Sequence, residues 1–391
     1  MENSFFRQSR KLIVDQIEDG AVVVLGAYQK MQLSGDAVAA FQQEGNFWYT
    51  TGIEESDWRV IFTHQKTWLV RPAISETEQI FEGSLSDSDA QKVSGADEVI
   101  DVSAASQLLD QLSAQGVELY TLKAHPHESS FGFAINPAPG QLVTELTSKF
   151  QKVKDIRPII SRLRAIKRPE EIGAIERAVE ITIAAFNEAR NILPVARYEY
   201  EVEAAMTAAI RRVDAIHAYE PIVAAGLNAC TLHYGKNNTQ LNPGELLLID
   251  VGARKNGYAA DITRTYGVGA IKSRQQTLHN RLAEAHRDII ELLRPGVSFT
   301  EYQKMSDEIM KDFLGSVGLL HRESDYRRYF PHAVTHGLGI DVHDSLGGYT
   351  RIEAGMVLTV EPGVYIPEEK TGVRLEDTII ITDEGSRNLS E

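Results

Sequence analysis

The segment LLLIDVGARKNGYAADITRTY, residues 246–266, restricts the fold more tightly than any other part of the chain. Two apolar runs flank Asn256-Gly257, the dipeptide favoured by a two-residue type I′ hairpin because both turn residues need positive φ. With the turn there, Asp250 falls opposite Thr263 and Gly252 opposite Asp261. Side chains alternate faces along a strand, so Asp250, Gly252, Asp261 and Thr263 project from one face. Asp250 and Asp261 become diagonal neighbours, about 7–8 Å apart or somewhat less. Two aspartates in apolar strands are costly unless one protonates or a cation sits between them. The competing reading is a pair of hydrogen-bonded strand carboxylates. Thr263 either orients an aspartate or simply fills a β-favouring position.

Two more acids have comparable settings. Glu361 follows a β-branched run in MVLTVEPGVYI (356–366), and Glu376 interrupts GVRLEDTIIIT (372–382). Alone, each would be a strand-end acid facing water. Four acids interrupting apolar strands, together with the histidine-rich PHAVTHGLGIDVHD (331–344), predict something else. Asp250, Asp261, His336, Glu361 and Glu376 would form an oxygen-rich site with one imidazole. Four negative charges suit two divalent cations with a metal-bridging hydroxide. Hard oxygen ligands favour Mn2+, while the single nitrogen leaves Co2+, Zn2+ and Fe2+ open. Two such ions hold a nucleophilic water and polarise a carbonyl, so amide hydrolysis is the natural chemistry.

The rest of the chain supplies a two-domain frame. At 391 residues it exceeds one ordinary core. Strand patterns at 21–27, 60–72 and 117–122, with a helix over 103–116, predict an α/β layer for residues 1–158. Residues 159–391 read as α+β. Helical spacing over 161–193, with Pro169-Glu170-Glu171 as a helix start, is followed by helices at 200–215, 274–293 and 299–314 on a mainly antiparallel sheet. The excess of 55 acidic over 40 basic residues argues against nucleic acid as a partner. No run of eighteen apolar residues suggests a membrane span, and the N-terminus lacks a signal-peptide core. The single Cys230 agrees with a reducing, cytoplasmic setting.

The second domain strongly resembles the pita-bread metallopeptidases, and within them the aminopeptidase P and prolidase family. The resemblance is carried by ACTLHYG (229–235), 246–266, YFPHAVTHGLGIDVHD (329–344), 356–366 and 372–382, in the family's order. It implies a pita-bread catalytic domain behind a smaller α/β domain, with metal ligation by Asp250, Asp261, His336, Glu361 and Glu376. Glu361 also matches the proposed general base. His233, His332 and His343 match histidines that bind substrate and stabilise the reacting carbonyl; Arg374 matches an arginine supporting the carboxylates, and Tyr365 a tyrosine near the substrate. The plainer alternatives are structural hydrogen bonds for His233 and His332, a salt bridge for Arg374, and core packing for Tyr365. Ala333 stands where many relatives have glycine, and Gly337 where larger residues are often found.

The resemblance implies cleavage of the bond between an N-terminal residue and a following proline in proline-containing peptides. EGNFWYTTGIEESDWRVIF (44–62) is similar to the aminopeptidase P N-terminal domain, which favours Xaa-Pro aminopeptidase over prolidase, the Xaa-Pro dipeptidase. Phe47, Trp48 and Tyr49 could otherwise be a buried strand. A non-catalytic pita-bread binding protein is the alternative of another class, although such proteins typically lose metal ligands. A homodimer or higher homo-oligomer is expected from the family.

Overall fold

The computed structural model describes residues 1–124 and 132–391, which form two compact units, Met1–Leu163 and Arg164–Glu391. The first is built on a six-stranded sheet. Its strands run Glu98–Ile100, Thr67–Val70, Arg59–Phe62, Val22–Gly26, Leu119–Thr121 and Val153–Asp155 across the sheet. The Arg59–Phe62 strand is antiparallel to both neighbours, and the remaining pairs are parallel. Val22, Leu25, Val60, Phe62, Leu69 and Leu119 are fully buried, as expected of a sheet covered on both faces. Helix Val102–Ala114 starts where the Asp101 carboxylate accepts the Ala104 N–H.

Two local expectations in this unit are corrected. Residues 60–72 form a hairpin rather than one strand. The Thr63 N–H donates to Lys66 O at 3.0 Å, and Thr63 Oγ1 accepts from the N–H groups of Gln65 and Lys66. A threonine hydroxyl thus closes a turn that contains neither glycine nor proline. The aromatic run lies in a helix, Gly45–Thr51, because Glu44 caps it by accepting the Phe47 N–H. Its buried rings pack edge-on against Phe5 and Phe6 of helix Asn3–Val14.

In the second unit, helix Pro169–Ile192 begins at the Pro-Glu-Glu signal, and the Glu171 carboxylate accepts the Arg168 N–H. Helices Glu199–Arg211, Ser273–Glu291 and Phe299–Ser316 accompany several short antiparallel sheets. Two of these sheets carry the acids. One has the order Ile222–Ala225, Leu246–Val251, Ile262–Gly267; the other runs Val357–Val360, Asp377–Thr382, Gly385–Asn388. Leu278, Leu282, Met310, Phe330, Leu358 and Ile379 anchor the core beside them.

The 246–266 hairpin has the register read from its sequence. Asn256 and Gly257 have φ of 52° and 81°, as a type I′ turn requires. Lys255 pairs with Tyr258, and beyond the turn Asp250 pairs with Thr263 without any slip of register. Gly252 lies where the hairpin passes from one sheet into the next. A Cβ there would stand 1.8 Å from Ala260 O and 2.9 Å from the Tyr219 ring. Because the first of these atoms is backbone, Gly252→Ala should destabilise the protein by about 1–3 kcal/mol, the usual cost of overpacking. Urea unfolding checks this, and an unchanged midpoint would contradict it.

Candidate metal centre

Three stretches of chain bring the acids together. Asp250 lies on strand Leu246–Val251, and Asp261 immediately precedes strand Ile262–Gly267. Glu376 follows strand Thr371–Arg374, and Glu361 follows strand Val357–Val360. Residues 334–338 lie along that last strand through Thr359 N–H to His336 O and Glu361 N–H to Val334 O, both 2.9 Å. This pairing places His336 beside Glu361. His336 Nε2 is 3.5 Å from Asp261 Oδ2, 3.5 Å from Glu361 Oε1 and 4.0 Å from Glu376 Oε1. Ligand atoms of Asp261, His336 and Glu376 all lie within 4.8 Å of one another.

The two sheets meet between strand Ile262–Gly267 and residues 374–378, where ordinary ladder pairing is confined to one residue pair. The Glu376 N–H donates to Thr263 O at 3.0 Å, and the Thr263 N–H to Glu376 O at 3.4 Å. On either side, threonine hydroxyls replace backbone partners. Thr378 Oγ1 donates to Asp261 O at 2.9 Å, while Thr265 Oγ1 donates to Arg374 O at 2.9 Å and accepts the Arg374 N–H. Thr263 Oγ1 turns inward and donates to Glu376 Oε2 at 2.8 Å. The carboxylate it orients is thus Glu376, not an aspartate as the sequence suggests.

The electrostatics of this cluster call for cations. Asp250, Asp261 and Glu376 are 8%, 5% and 2% exposed, too buried for water to offset their mutual repulsion. Burial, then the neighbouring acids, push Glu376 well above the carboxylate range. Burial also raises Asp250 despite Arg374, and lifts Glu361 to about 7 despite His336 and Arg374. Burial would lower His336, but the Asp261 hydrogen bond and the Glu361 and Asp261 charges carry it up to about 9. Without cations, the cluster therefore holds protons against its own negative charge. The imidazole is also oriented for ligation: Nδ1 lies 2.9 Å from Gly337 O, which takes its N–H and turns Nε2, the nitrogen that would give up its proton to a metal, toward the acids. Oxygen donors plus one such nitrogen suit divalent metal ions.

The cleft over this cluster is about 280 Å³ and is lined by the five candidate ligands together with Leu232, His233, His332, Ala333, Thr335, His343 and Arg374. His233 and His343 are exposed on its wall, and the His343 ring packs edge-on against His336 at 4.4 Å. The other predicted residues lie deeper. Tyr365 is 3% exposed and is not among the lining residues. Its hydroxyl accepts from Arg374 Nη1 at 3.0 Å and donates to His332 Nε2 at 2.8 Å, while His332 Nδ1 lies 2.7 Å from Ala333 O. Burial lowers His332 to about 4, so its ring is neutral and both nitrogens are engaged within the protein. Arg374 donates to Asp250 Oδ2 at 2.5 Å and Thr263 Oγ1 at 3.0 Å, so it reaches the acids directly.

Contacts absent from the sequence reading complete the cluster. The Tyr219 hydroxyl lies 2.5 Å from both Asp250 Oδ1 and Asp261 Oδ1, and its ring occupies the space that Gly252 leaves open. A glycine between two same-face aspartates was the signal for such a neighbour, without saying which residue. Beyond His343, buried Asp344 accepts from Arg164 at 2.8 Å and faces Lys167 at 3.6 Å. Gly337 is explained here as well, because a Cβ would stand 2.6 Å from Asp344 O.

Residues 173–383 match Metallopeptidase family M24, and residues 6–120 match Aminopeptidase P, N-terminal domain. The chain is 32% identical to Xaa-Pro aminopeptidase of Escherichia coli, covering 98% of this chain and 94% of the relative. It is 31% identical to Xaa-Pro aminopeptidase 3 of Homo sapiens, covering 95% and 78% respectively. The low-pH form of aminopeptidase P from E. coli superposes with a TM-score of 0.87 at 30% identity, over 100% of this chain and 95% of that one. A zinc-substituted form of the E. coli enzyme in complex with product gives 0.86 at the same identity and coverage. With a pita-bread domain that follows an aminopeptidase P N-terminal domain in sequence, the chain belongs to metallopeptidase family M24.

Proposed function

We propose that this protein is an Xaa-Pro aminopeptidase, releasing the first residue of peptides whose second residue is proline. The observation that carries this reading is the convergence of four acids and one imidazole whose Nε2 faces them in a histidine-walled cleft, in a chain that matches such enzymes along nearly its whole length. Asp250, Asp261, His336, Glu361 and Glu376 would hold two divalent ions, with manganese favoured by the oxygen-rich set. Bound there, such ions supply Lewis acidity toward the scissile carbonyl and a water acidified enough to attack near neutral pH.

The chain's own groups do the rest. Glu361, beside His336 on the cleft wall, is the group we assign to taking and returning a proton, on the path to the proline nitrogen. His233 and His343 are the side chains we assign to the substrate carbonyl and its developing negative charge. Arg374 orients Asp250 and, through Tyr365, the neutral ring of His332; these three act mainly as positioning residues and cleft wall. The Xaa-Pro bond is a tertiary amide with no N–H, so recognition cannot rely on a donor at that nitrogen. A cytoplasmic homodimer is the assembly we favour. No helix among the described residues is long and apolar enough to cross a membrane.

Three outcomes test this reading. Manganese-loaded protein should cleave Xaa-Pro-Pro and longer peptides faster than an Xaa-Pro dipeptide; strict dipeptide preference would make it a prolidase. His343→Ala should lower kcat about a hundredfold, as expected for losing one charge-stabilising donor, while retaining most of the metal. Near-normal turnover in that variant would remove the assignment. Finally, His336 is protonated below about 9 in metal-free protein, so metal uptake near pH 7.5 should displace a proton from it. Calorimetry in buffers of different ionisation enthalpy measures this, and heats independent of the buffer would contradict it.

A further inference from the structure

Arg264 sits behind the metal centre, on the face of strand Ile262–Gly267 opposite Thr263. Its Nη1 donates to Glu376 O at 2.7 Å and to Thr263 O at 3.0 Å. Its Nη2 donates to Asp377 Oδ1 at 2.6 Å and to Ser390 O at 3.3 Å. The two terminal nitrogens are therefore occupied by the protein itself. Asp377 is held in turn by Asn388 Nδ2 at 2.6 Å. It also faces His286 Nε2 at 3.8 Å, and that nitrogen lies 3.1 Å from Val360 O, just before Glu361.

The place where Arg264 acts is the weak point of the sheet junction. Only Thr263 and Glu376 pair through their backbones there, and the Thr263 N–H reaches Glu376 O at 3.4 Å, longer than a good hydrogen bond. The guanidinium bond to the same oxygen is shorter. A planar fork can hold two carbonyls and a carboxylate at fixed separation, which a lysine ammonium cannot reproduce. We infer that Arg264 is a positioning residue for the metal centre, clamping the Thr263 and Glu376 carbonyls so that Asp261 and Glu376 keep the spacing at which they share ions. This rests on the metal-centre reading above.

Manganese titration calorimetry on folded, metal-free protein tests the clamp. Arg264→Leu should raise the manganese dissociation constant about ten- to a hundredfold, the usual cost of losing a group that orients metal ligands. Arg264→Lys should recover only part of that loss. Arg10→Leu is the control, because buried Arg10 likewise donates to three carbonyls, those of Thr50, Ser94 and Gly95, in the N-terminal unit. It should lower thermal stability while leaving manganese affinity unchanged. Should Arg264→Leu not fold, Asp377→Asn removes the carboxylate that orients the guanidinium and should still weaken manganese binding severalfold. Wild-type affinity in the folded Arg264 or Asp377 variant, or equal weakening by Arg10→Leu, overturns the clamp alone. A wild-type protein that takes up no manganese overturns the metal-centre reading and the clamp with it.

Discussion

Mutual repulsion among buried carboxylates is the constraint on which the catalytic unit depends. Asp250, Asp261 and Glu376 are buried and Glu361 is half-buried, and all four line one cleft of about 280 Å³. Unpaired, each would cost several kcal/mol or take up a proton. The protein meets this cost only in part, with the Arg374 guanidinium, the Tyr219 hydroxyl and the Thr263 hydroxyl. Divalent ions would supply the remainder, so the feature most costly to the fold would also be the one that serves its chemistry.

Holding such a cluster requires strands that converge without zipping fully together. Continuous backbone pairing between residues 261–265 and 374–378 would place them in one flat ladder. Here one backbone pair is kept, and Thr265 and Thr378 carry the outer contacts through their hydroxyls. Side-chain hydroxyls reach farther than a backbone carbonyl, so the two sheets can diverge while the Asp261 and Arg374 carbonyls keep hydrogen-bond partners. Inward-facing Thr263 and outward-facing Arg264 then fix the same junction from its two faces.

Much of this was legible in the chain because it is local. Asn256-Gly257 dictates a type I′ turn, and the turn dictates which residues share a face with Asp250. The acids of the 356–366 and 372–382 segments stood out because each interrupts an apolar run. The features without a sequence signal are either long-range or carried by common residue types. Tyr219 lies 42 positions from Asp261, and Arg264 acts on a carbonyl 112 positions away, so neither has a local pattern. The turn at 63–66 was missed because a threonine side chain does what glycine or proline usually signals. The 45–51 helix was missed because buried aromatic residues suit either secondary structure, and its cap, Glu44, is a less common capping residue. The division among the histidines came from resemblance; in the structure His336 is aimed at the acids, His332 is tied to Tyr365, and His343 is exposed on the cleft wall.

Crystals grown with manganese, measured just above and just below the manganese absorption edge, show whether the clustered acids hold ions. Two anomalous peaks should lie enclosed by Asp250, Asp261, His336, Glu361 and Glu376. An ordered site with no anomalous peak among these five side chains, at saturating manganese, would contradict the metal-centre reading.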